Sequence, residues 1–495
     1  MRYLLAIDQG TTGSRAFIFD ARGRIVESDY CEFRQYYPKP GWVEHDAEEI
    51  WDSCVQVIKG AFLKAVIRPT DILAIGITNQ RETTVLWDRK TSKPAARAIV
   101  WQCRRTAPLC EQLNQQGLAN EFRHRTGLVL DPYFSGTKVK WLLDNVSGLR
   151  RRAQSGQVAF GTIDSWLIWK LTGGRVHATD MTNASRTLLF NIRTKFWDET
   201  ILKRLGIPTS LLPSVQNSGS VFGATAAGVA GLPSGIPIAA VMGDQQSALY
   251  GQGCFDPGTI KNTYGTGCFL MLNTGPKLIY SKRGLLTTLA SDERGKPIYA
   301  LEGAVFIAGA VVQWLRDELK VIKSSPESEK IAEGVSDTQG VYFVPAFTGL
   351  GAPYWNAQAR GLITGLTRGS GVRHIVRAAL ESIAYQTKDV FDLMRSESGY
   401  RIQELKVDGG ACRNNFLMQF QADLLKCRII RPSVVESTAQ GAALLAGVTA
   451  GLWRGKKDLR KLLKTEHDFR PRMSSNMRER LCRGWRNAVQ RTMAA

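Results

Sequence analysis

Apolar positions along this chain fall into two rhythms. Short continuous runs mark buried strands, and longer stretches with apolar residues every three to four positions mark helices. Residues 3–7 and 16–19 are apolar, strand-like runs, and the polar stretch Asp8-Gln9-Gly10-Thr11-Thr12-Gly13 between them reads as a turn. The same grammar returns near residue 260. Residues 259–263 and 268–272 read as strands around Tyr264-Gly265-Thr266-Gly267. Two strand–turn–strand units so far apart predict two lobes of similar plan. Gly251, Gly253, Pro257 and Gly258 place the boundary between them, giving lobes 1–251 and 252–495.

Between the hairpins the two rhythms alternate. Residues 72–77 read as a buried strand, and 47–63 and 136–143 as helices. In the second half 374–393 is a long helical pattern and 405–407 a short strand. Residues 437–447 form a small-residue helix with Ser437 or Thr438 as N-cap. Glu302-Gly303-Ala304 through Gln313 reads as a turn entering a helix, and the strand before Gly243 leads into a helix for which Asp244 is the expected N-cap. This alternation predicts a mixed α/β fold.

Composition narrows the class. With 495 residues and 44% hydrophobic content, the chain can build sizeable cores and is not a disordered polymer. Its longest apolar runs, such as 236–242, are too short to span a bilayer, and Asp8 interrupts the N-terminal run, so neither a membrane span nor export is expected. Nine scattered cysteines without Cys-x-x-Cys spacing and five dispersed histidines argue against a disulfide framework or a zinc site. They fit a reducing, cytoplasmic location. The net charge of +21 raises nucleic-acid binding as a reading. Much of it sits in the tail, where residues 452–495 hold 13 Lys and Arg against 4 Asp and Glu. There residues 458–464 read as an amphipathic surface helix with a solvated basic face. No zinc-finger, ribonucleoprotein or basic-zipper pattern accompanies the charge, so no nucleic-acid partner is expected.

The Gly/Thr turns carry the candidate chemistry. Glycine lets backbone approach a phosphate, and threonine hydroxyls and free N–H groups donate to its oxygens. The two turns can grip one polyphosphate, with Arg15 as a cation and Asp8 as a carboxylate able to hold Mg²⁺ directly or through water. The Walker and protein-kinase signatures are absent. Val407-Asp408-Gly409-Gly410-Ala411, followed by Asn414, leaves room for a flat ring against backbone. Asp244, at a strand end, suits either a helix cap or the general base for phosphoryl transfer to an alcohol. Arg81-Glu82 reads as a surface ion pair or as a donor–acceptor pair for a polyol. Trp101 reads as core or as an apolar wall for a short carbon chain, and Tyr133 offers a phenol in a loop.

Together, Asp8-Gln9-Gly10-Thr11-Thr12, Asn79-Gln80-Arg81-Glu82-Thr83-Thr84, Trp101-Gln102-Cys103-Arg104-Arg105, Gly243-Asp244-Gln245-Gln246 and Asn262-Thr263-Tyr264-Gly265-Thr266-Gly267 resemble the motifs of the FGGY carbohydrate kinases. The second and third of these segments are similar to the members acting on glycerol rather than on pentuloses. The resemblance implies a two-lobed actin/hexokinase-type ATPase fold with a ribonuclease H-like core in each lobe and the active site in the interlobe cleft. It implies ATP and Mg²⁺ as cofactors, glycerol as acceptor, and a homo-oligomer, dimer or tetramer. By the same resemblance Asp244 is the base. Arg81, Glu82, Trp101, Tyr133, Asp244, Gln245 and Phe269 surround the acceptor, and Asp8 and Asp244 order the metal. Thr11, Thr12, Gly13, Arg15, Thr266, Gly309, Gln313, Gly410 and Asn414 hold the nucleotide. The alternatives are a kinase of another polyol or pentulose and an actin-like scaffold without catalysis. This sequence departs from the family at Gly13, where many members carry serine, and in residues 231–235, which lack the basic residue with which some bacterial members bind an allosteric sugar bisphosphate. Residues 472–480 do not match the segment some members offer to a regulatory phosphotransfer protein.

Overall fold

The computed structural model describes residues 2–356 and 358–494. They divide into two compact units. The first comprises Met1–Phe255, Thr287–Tyr299 and Thr438–Leu462, and the second Asp256–Leu286, Ala300–Ser437 and Leu463–Ala495. The chain leaves the first unit close to the glycines that mark the boundary in the sequence. It then returns twice, so Thr287–Tyr299 and Thr438–Leu462 group with residues far earlier in the chain, which a single cut cannot express.

In the first unit, β1 (Tyr3–Gln9), β2 (Gly13–Phe19) and β3 (Ile25–Glu32) form an antiparallel meander. β4 (Ile72–Asn79) and β5 (Ile238–Gly243) add to it in parallel, giving the order β5-β4-β1-β2-β3. Leu4 to Ile7 are buried on both faces of the sheet, which is why that run is continuous rather than alternating. Helix α1 (Ala47–Ala65) lays Ile50, Cys54, Val57, Ile58, Ala61 and Phe62 into the core. It starts where the Asp46 carboxylate accepts from the Glu48 N–H and stops where Val66 turns left-handed. Helix α2 (Asp244–Gly251) follows β5 directly. Its N-cap is Gly243, and Asp244 is its first residue rather than the cap. The strand runs into the helix without a linker, so the capping position falls one residue early.

The second unit repeats this plan. β6 (Ile260–Tyr264) and β7 (Cys268–Gly275) form the second hairpin. Alongside β8 (Pro297–Val305), β9 (Glu404–Asp408), β10 (Arg428–Pro432) and β11 (Thr465–Phe469), they run in the order β8-β7-β6-β9-β10-β11. β9 pairs in parallel with β6 and β10, as β4 does with β1 and β5. Helices α3 (Gly309–Asp317), α4 (Val372–Ser398) and α5 (Asn415–Leu425) bury their apolar stripes in this unit's core. Glu302 to Ala304 belong to β8, and the turn into α3 comes after Val305. In the basic tail the helix spans Lys456–Leu462 and buries Leu459. β11 and a helix over Ser475–Ala494 follow it.

Helix α6 (Ser437–Thr449) begins at Ser437, so neither Ser437 nor Thr438 precedes it as a cap. From Thr438 onward it belongs to the first unit and lies close against β4 and α2. A Cβ on Gly76 would come 2.3 Å from the Ala442 O, and one on Gly441 would come 1.9 Å from the Ser247 O. The Ser247 Oγ donates to the Thr438 O at 2.6 Å. The run of small residues is the condition for this approach. Gly441→Ala tests it, because helix propensity and packing predict opposite signs there. Propensity alone favours alanine by about 1 kcal/mol. Overpacking costs about 1–3 kcal/mol and here displaces backbone, so the variant is expected to be less stable. Urea unfolding that finds it more stable than the parent contradicts this packing.

Candidate active site

The carboxyl ends of β1, β4 and β5 lie side by side. Asp8 is level with Thr78 and Gln9 with Asn79, while Met242 and Gly243 flank the same two residues from the other side. Whatever follows these three strands emerges at one sheet edge, the usual position for a ligand in such sheets. After β1 comes the first Gly/Thr turn, closed by the Gly10 N–H donating to the Gly13 O at 2.9 Å. After β4 comes Gln80-Arg81-Glu82, and after β5 comes Asp244. Gln80 ties the first two segments together, its Nε2 donating to the Gln9 Oε1 at 3.0 Å and to the Gly10 O at 3.1 Å.

Arg81 and Glu82 are not a surface pair. Both are almost fully buried. The Thr83 N–H donates to the Arg81 O at 2.7 Å across a γ-turn centred on Glu82, whose φ is +62°. A non-glycine residue there is in the rarer, strained form of this turn. The Arg81 Nε lies 3.0 Å from the Asp244 Oδ1 and 3.9 Å from the Glu82 Oε1, and its Nη1 donates to the Gln246 Oε1 at 3.2 Å. A Cβ on Gly243 would sit 2.7 Å from the Arg81 Cδ, so glycine is what lets the guanidinium reach Asp244. Asp244 also accepts from the Gln245 N–H at 2.7 Å on the same Oδ1. With its side chain 31% exposed, against 2% for Arg81 and Glu82, Asp244 is the most open group of this cluster.

Half-buried Trp101 joins this cluster to the phosphate turn. Its indole Nε1 donates to the Thr11 Oγ1 at 2.9 Å, and its ring meets Tyr133 edge-on at 5.5 Å. Thr11 thus accepts from the indole and keeps its own proton to donate, while Thr12 is exposed beside it. The structure therefore brings Asp8, Thr11, Arg81, Glu82, Trp101, Tyr133, Asp244 and Gln245 together within the first unit.

Thr266, Gly309, Gln313, Gly410 and Asn414 lie in the second unit. The Ala308 N–H donates to the Thr266 O at 2.8 Å and the Gly309 N–H to the Gly265 O at 3.0 Å. The start of α3 is thereby spent on holding the second turn, and Gly309 is needed because a Cβ there would come 2.6 Å from the Gly265 O. Gln313 is exposed one helical turn further on. Gly409 has φ +83°, and a Cβ on it would strike the Tyr264 O at 2.5 Å. A Cβ on Gly410 meets nothing within 4 Å. The first glycine serves the turn, and the second leaves bare backbone with open space above it. Asn414 caps α5, its side chain accepting from the Leu417 N–H at 2.8 Å. Phe269 is half-buried on β7.

Comparison with known proteins places this arrangement. The profile of the FGGY family of carbohydrate kinases matches with its N-terminal domain over residues 3–251 and with its C-terminal domain over residues 260–450. The chain belongs to the FGGY family of carbohydrate kinases. A glycerol kinase of Caldanaerobacter subterraneus subsp. tengcongensis is 58% identical over 492 residues, covering 99% of each chain. Glycerol kinase 2 of Thermotoga maritima is 57% identical, covering 100% of this chain and 99% of that one. The crystal structure of Plasmodium falciparum glycerol kinase with ADP superposes with a TM-score of 0.93 at 38% identity, covering 100% of this chain and 98% of that one. A xylulose kinase from Lactobacillus acidophilus shares the fold, with a TM-score of 0.89 at 21% identity and the same coverage. The two-domain FGGY kinase fold, of the actin/hexokinase-like ATPase type, accounts for the repeated sheet plan.

This FGGY kinase holds its acceptor-side residues with groups that the sequence reading missed. Fully buried Arg186 donates through Nε to the Glu82 Oε1 at 2.6 Å and lies over the Tyr133 ring, 5.6 Å from its centroid. Just before it, Asp180 caps a short helix (Met181–Ala184). The Thr182 Oγ1 in that helix accepts from the Gly243 N–H at 2.9 Å, and Asn183 exchanges amide hydrogen bonds with Asn79. One segment thus supports both Asp244 and Glu82. Its partners lie more than fifty residues away, so nothing local in the sequence marks it.

Lys138 is the second such group. It is fully buried and donates through Nζ to the Tyr133 O at 2.6 Å. Burial pulls its ammonium down to about 8, with Glu82 pulling weakly the other way. An unfolded lysine titrates near 10.4. Between about pH 8 and 10.4 the unfolded chain therefore holds a proton that the folded protein has released, and stability rises with pH. The stability of the parent minus that of Lys138→Met is expected to grow across this window in unfolding titrations. A constant difference contradicts it.

Proposed function

We propose that this kinase transfers the terminal phosphoryl group of ATP to a terminal hydroxyl of glycerol, giving sn-glycerol 3-phosphate and ADP. The observation that carries the reading is the Arg81–Asp244 pair beside buried Glu82, walled by Trp101 and Tyr133. Arg81 supplies donors and Glu82 acceptors for the hydroxyls of a short polyol, and the indole covers its carbon chain. The high identity to full-length glycerol kinases supports the same acceptor.

Asp244 takes the hydroxyl proton through Oδ2, while Arg81 and the Gln245 N–H hold Oδ1. Thr11, Thr12, Gly13 and Arg15 of the first unit, with Thr266, Gly309, Gln313, Gly410 and Asn414 of the second, bind ATP. Among the described residues no group of three or more His, Cys, Asp or Glu side chains forms a metal cage. The carboxylates of Asp8 and Asp244 suit Mg²⁺, which is typically held by one or two carboxylates and the phosphates of its nucleotide. Asp8 and Asp244 would hold it, and when bound it neutralises charge on the transferring phosphate. We place the enzyme in the cytoplasm as a homo-oligomer, dimer or tetramer. The nine free cysteines, and the lack among the described residues of any helix long and apolar enough to cross a membrane, accord with that location.

ADP release by the purified protein over a panel of glycerol, a tetritol and xylulose tests the acceptor; a pentulose outperforming glycerol overturns the reading. Asp244→Asn is expected to lower kcat by about 10²–10⁴ with KM for glycerol little changed, and near-normal turnover removes Asp244 as the base. Arg81→Ala is expected to raise KM for glycerol by about tenfold or more, since hydrogen bonds from a charged donor are lost. An unchanged KM takes it out of the acceptor shell.

A further inference from the structure

Position 13, in the first Gly/Thr turn, has no side chain, yet its space is not empty. A Cβ built on Gly13 would lie 2.5 Å from the Tyr30 Cε2, 2.7 Å from the Tyr30 Oη and 2.8 Å from the Cys31 O. The phenol of Tyr30 fills the volume that a residue at 13 would otherwise use, and the backbone of β3 closes the remainder. Arg15 and Tyr30 are directly opposed on β2 and β3, as are Gly13 and Glu32, so all four side-chain positions share one face of the sheet. Arg15 lies over the Tyr30 ring, 5.2 Å from its centroid. Tyr30 is 46% exposed. Its hydroxyl makes only a long bond, 3.3 Å to the Glu32 Oε1.

We propose that the Tyr30 hydroxyl is a phosphate donor of the nucleotide site, taking the place of the side-chain hydroxyl that the turn lacks at position 13. This rests on reading residues 10–13 as a phosphate turn. The turn supplies hydroxyls at Thr11 and Thr12 and backbone N–H groups, and Arg15 supplies charge. A phenol standing over Gly13, beside Arg15, adds a third hydroxyl on the same face. Glu32 competes for that proton at 3.3 Å. A phosphate oxygen flanked by Arg15 is the stronger acceptor, and the phenol exchanges one for the other by rotating its O–H.

Tyr30→Phe removes the hydroxyl alone, on a half-exposed ring where folding is not at stake, and thermal unfolding checks that it is not. Binding is read directly, without an acceptor, by competition of ATP and of adenosine against a fluorescent ATP analogue. The expected result is ATP binding weakened about tenfold, the worth of one hydrogen bond to a charged group, with adenosine binding unchanged. Unchanged ATP binding overturns the proposal, and so does equal weakening of both ligands, which would mean a displaced turn rather than a lost phosphate contact. Parent protein that does not bind ATP overturns the phosphate-turn reading itself. Parent protein that binds ATP beside an indifferent Tyr30→Phe overturns only the role of Tyr30.

Discussion

The parallel register of β1, β4 and β5 is the constraint on which the acceptor side depends. Their hydrogen-bond ladders put Asp8, Asn79 and Gly243 at one edge. Asp8, Arg81, Glu82 and Asp244 all leave the chain within three residues of that edge. Side chains alone do not create such proximity, because the residues concerned are separated by up to 236 positions. The ladder does it, and the apolar residues of β1 and β4 keep it dry and therefore rigid.

Rigidity has a local cost at Glu82. A buried carboxylate in a left-handed turn carries strain of about 1–3 kcal/mol and a desolvation penalty besides. The structure offsets both with two guanidiniums, Arg186 at 2.6 Å and Arg81 at 3.9 Å, and with the Ser135 Oγ, which donates to the Glu82 O. Arg81 in turn shares itself between Glu82 and Asp244. The acceptor side is thus a chain of charges in which each group holds its neighbour, and only Asp244 is substantially open to solvent. That arrangement, charges held in place by their neighbours around one carboxylate open to solvent, is what phosphoryl transfer to an alcohol asks of a protein.

Both hairpins, their Gly/Thr turns, α1, α4 and the strand before Asp244 could be read from the sequence because each is set by local periodicity or turn chemistry. What escaped was decided by distant partners. Asp244 looks like an N-cap until the seamless run of β5 into α2 moves the cap to Gly243. Arg81-Glu82 looks like a surface pair until Arg186, more than a hundred residues on, covers it. Gly309, a nucleotide residue by the family resemblance, also packs against the Gly265 carbonyl, a constraint with no local signal. The return of α6 to the first unit has no local signal beyond its small residues, whose meaning appears only beside Gly76 and Ser247.

Four of the tail arginines that carry the positive charge, Arg480, Arg483, Arg486 and Arg491, lie on exposed surface of the last helix. The proposed reaction turns on Asp244 facing the alcohol that receives the phosphate. A crystal structure with glycerol and a non-hydrolysable ATP analogue measures it most directly. The account predicts a terminal hydroxyl within hydrogen-bond reach of the Asp244 carboxylate, about 2.6–3.0 Å, with Arg81 and Glu82 on the remaining hydroxyls. Glycerol bound away from the ends of β1, β4 and β5, or an Asp244 carboxylate out of reach of every hydroxyl, would contradict it.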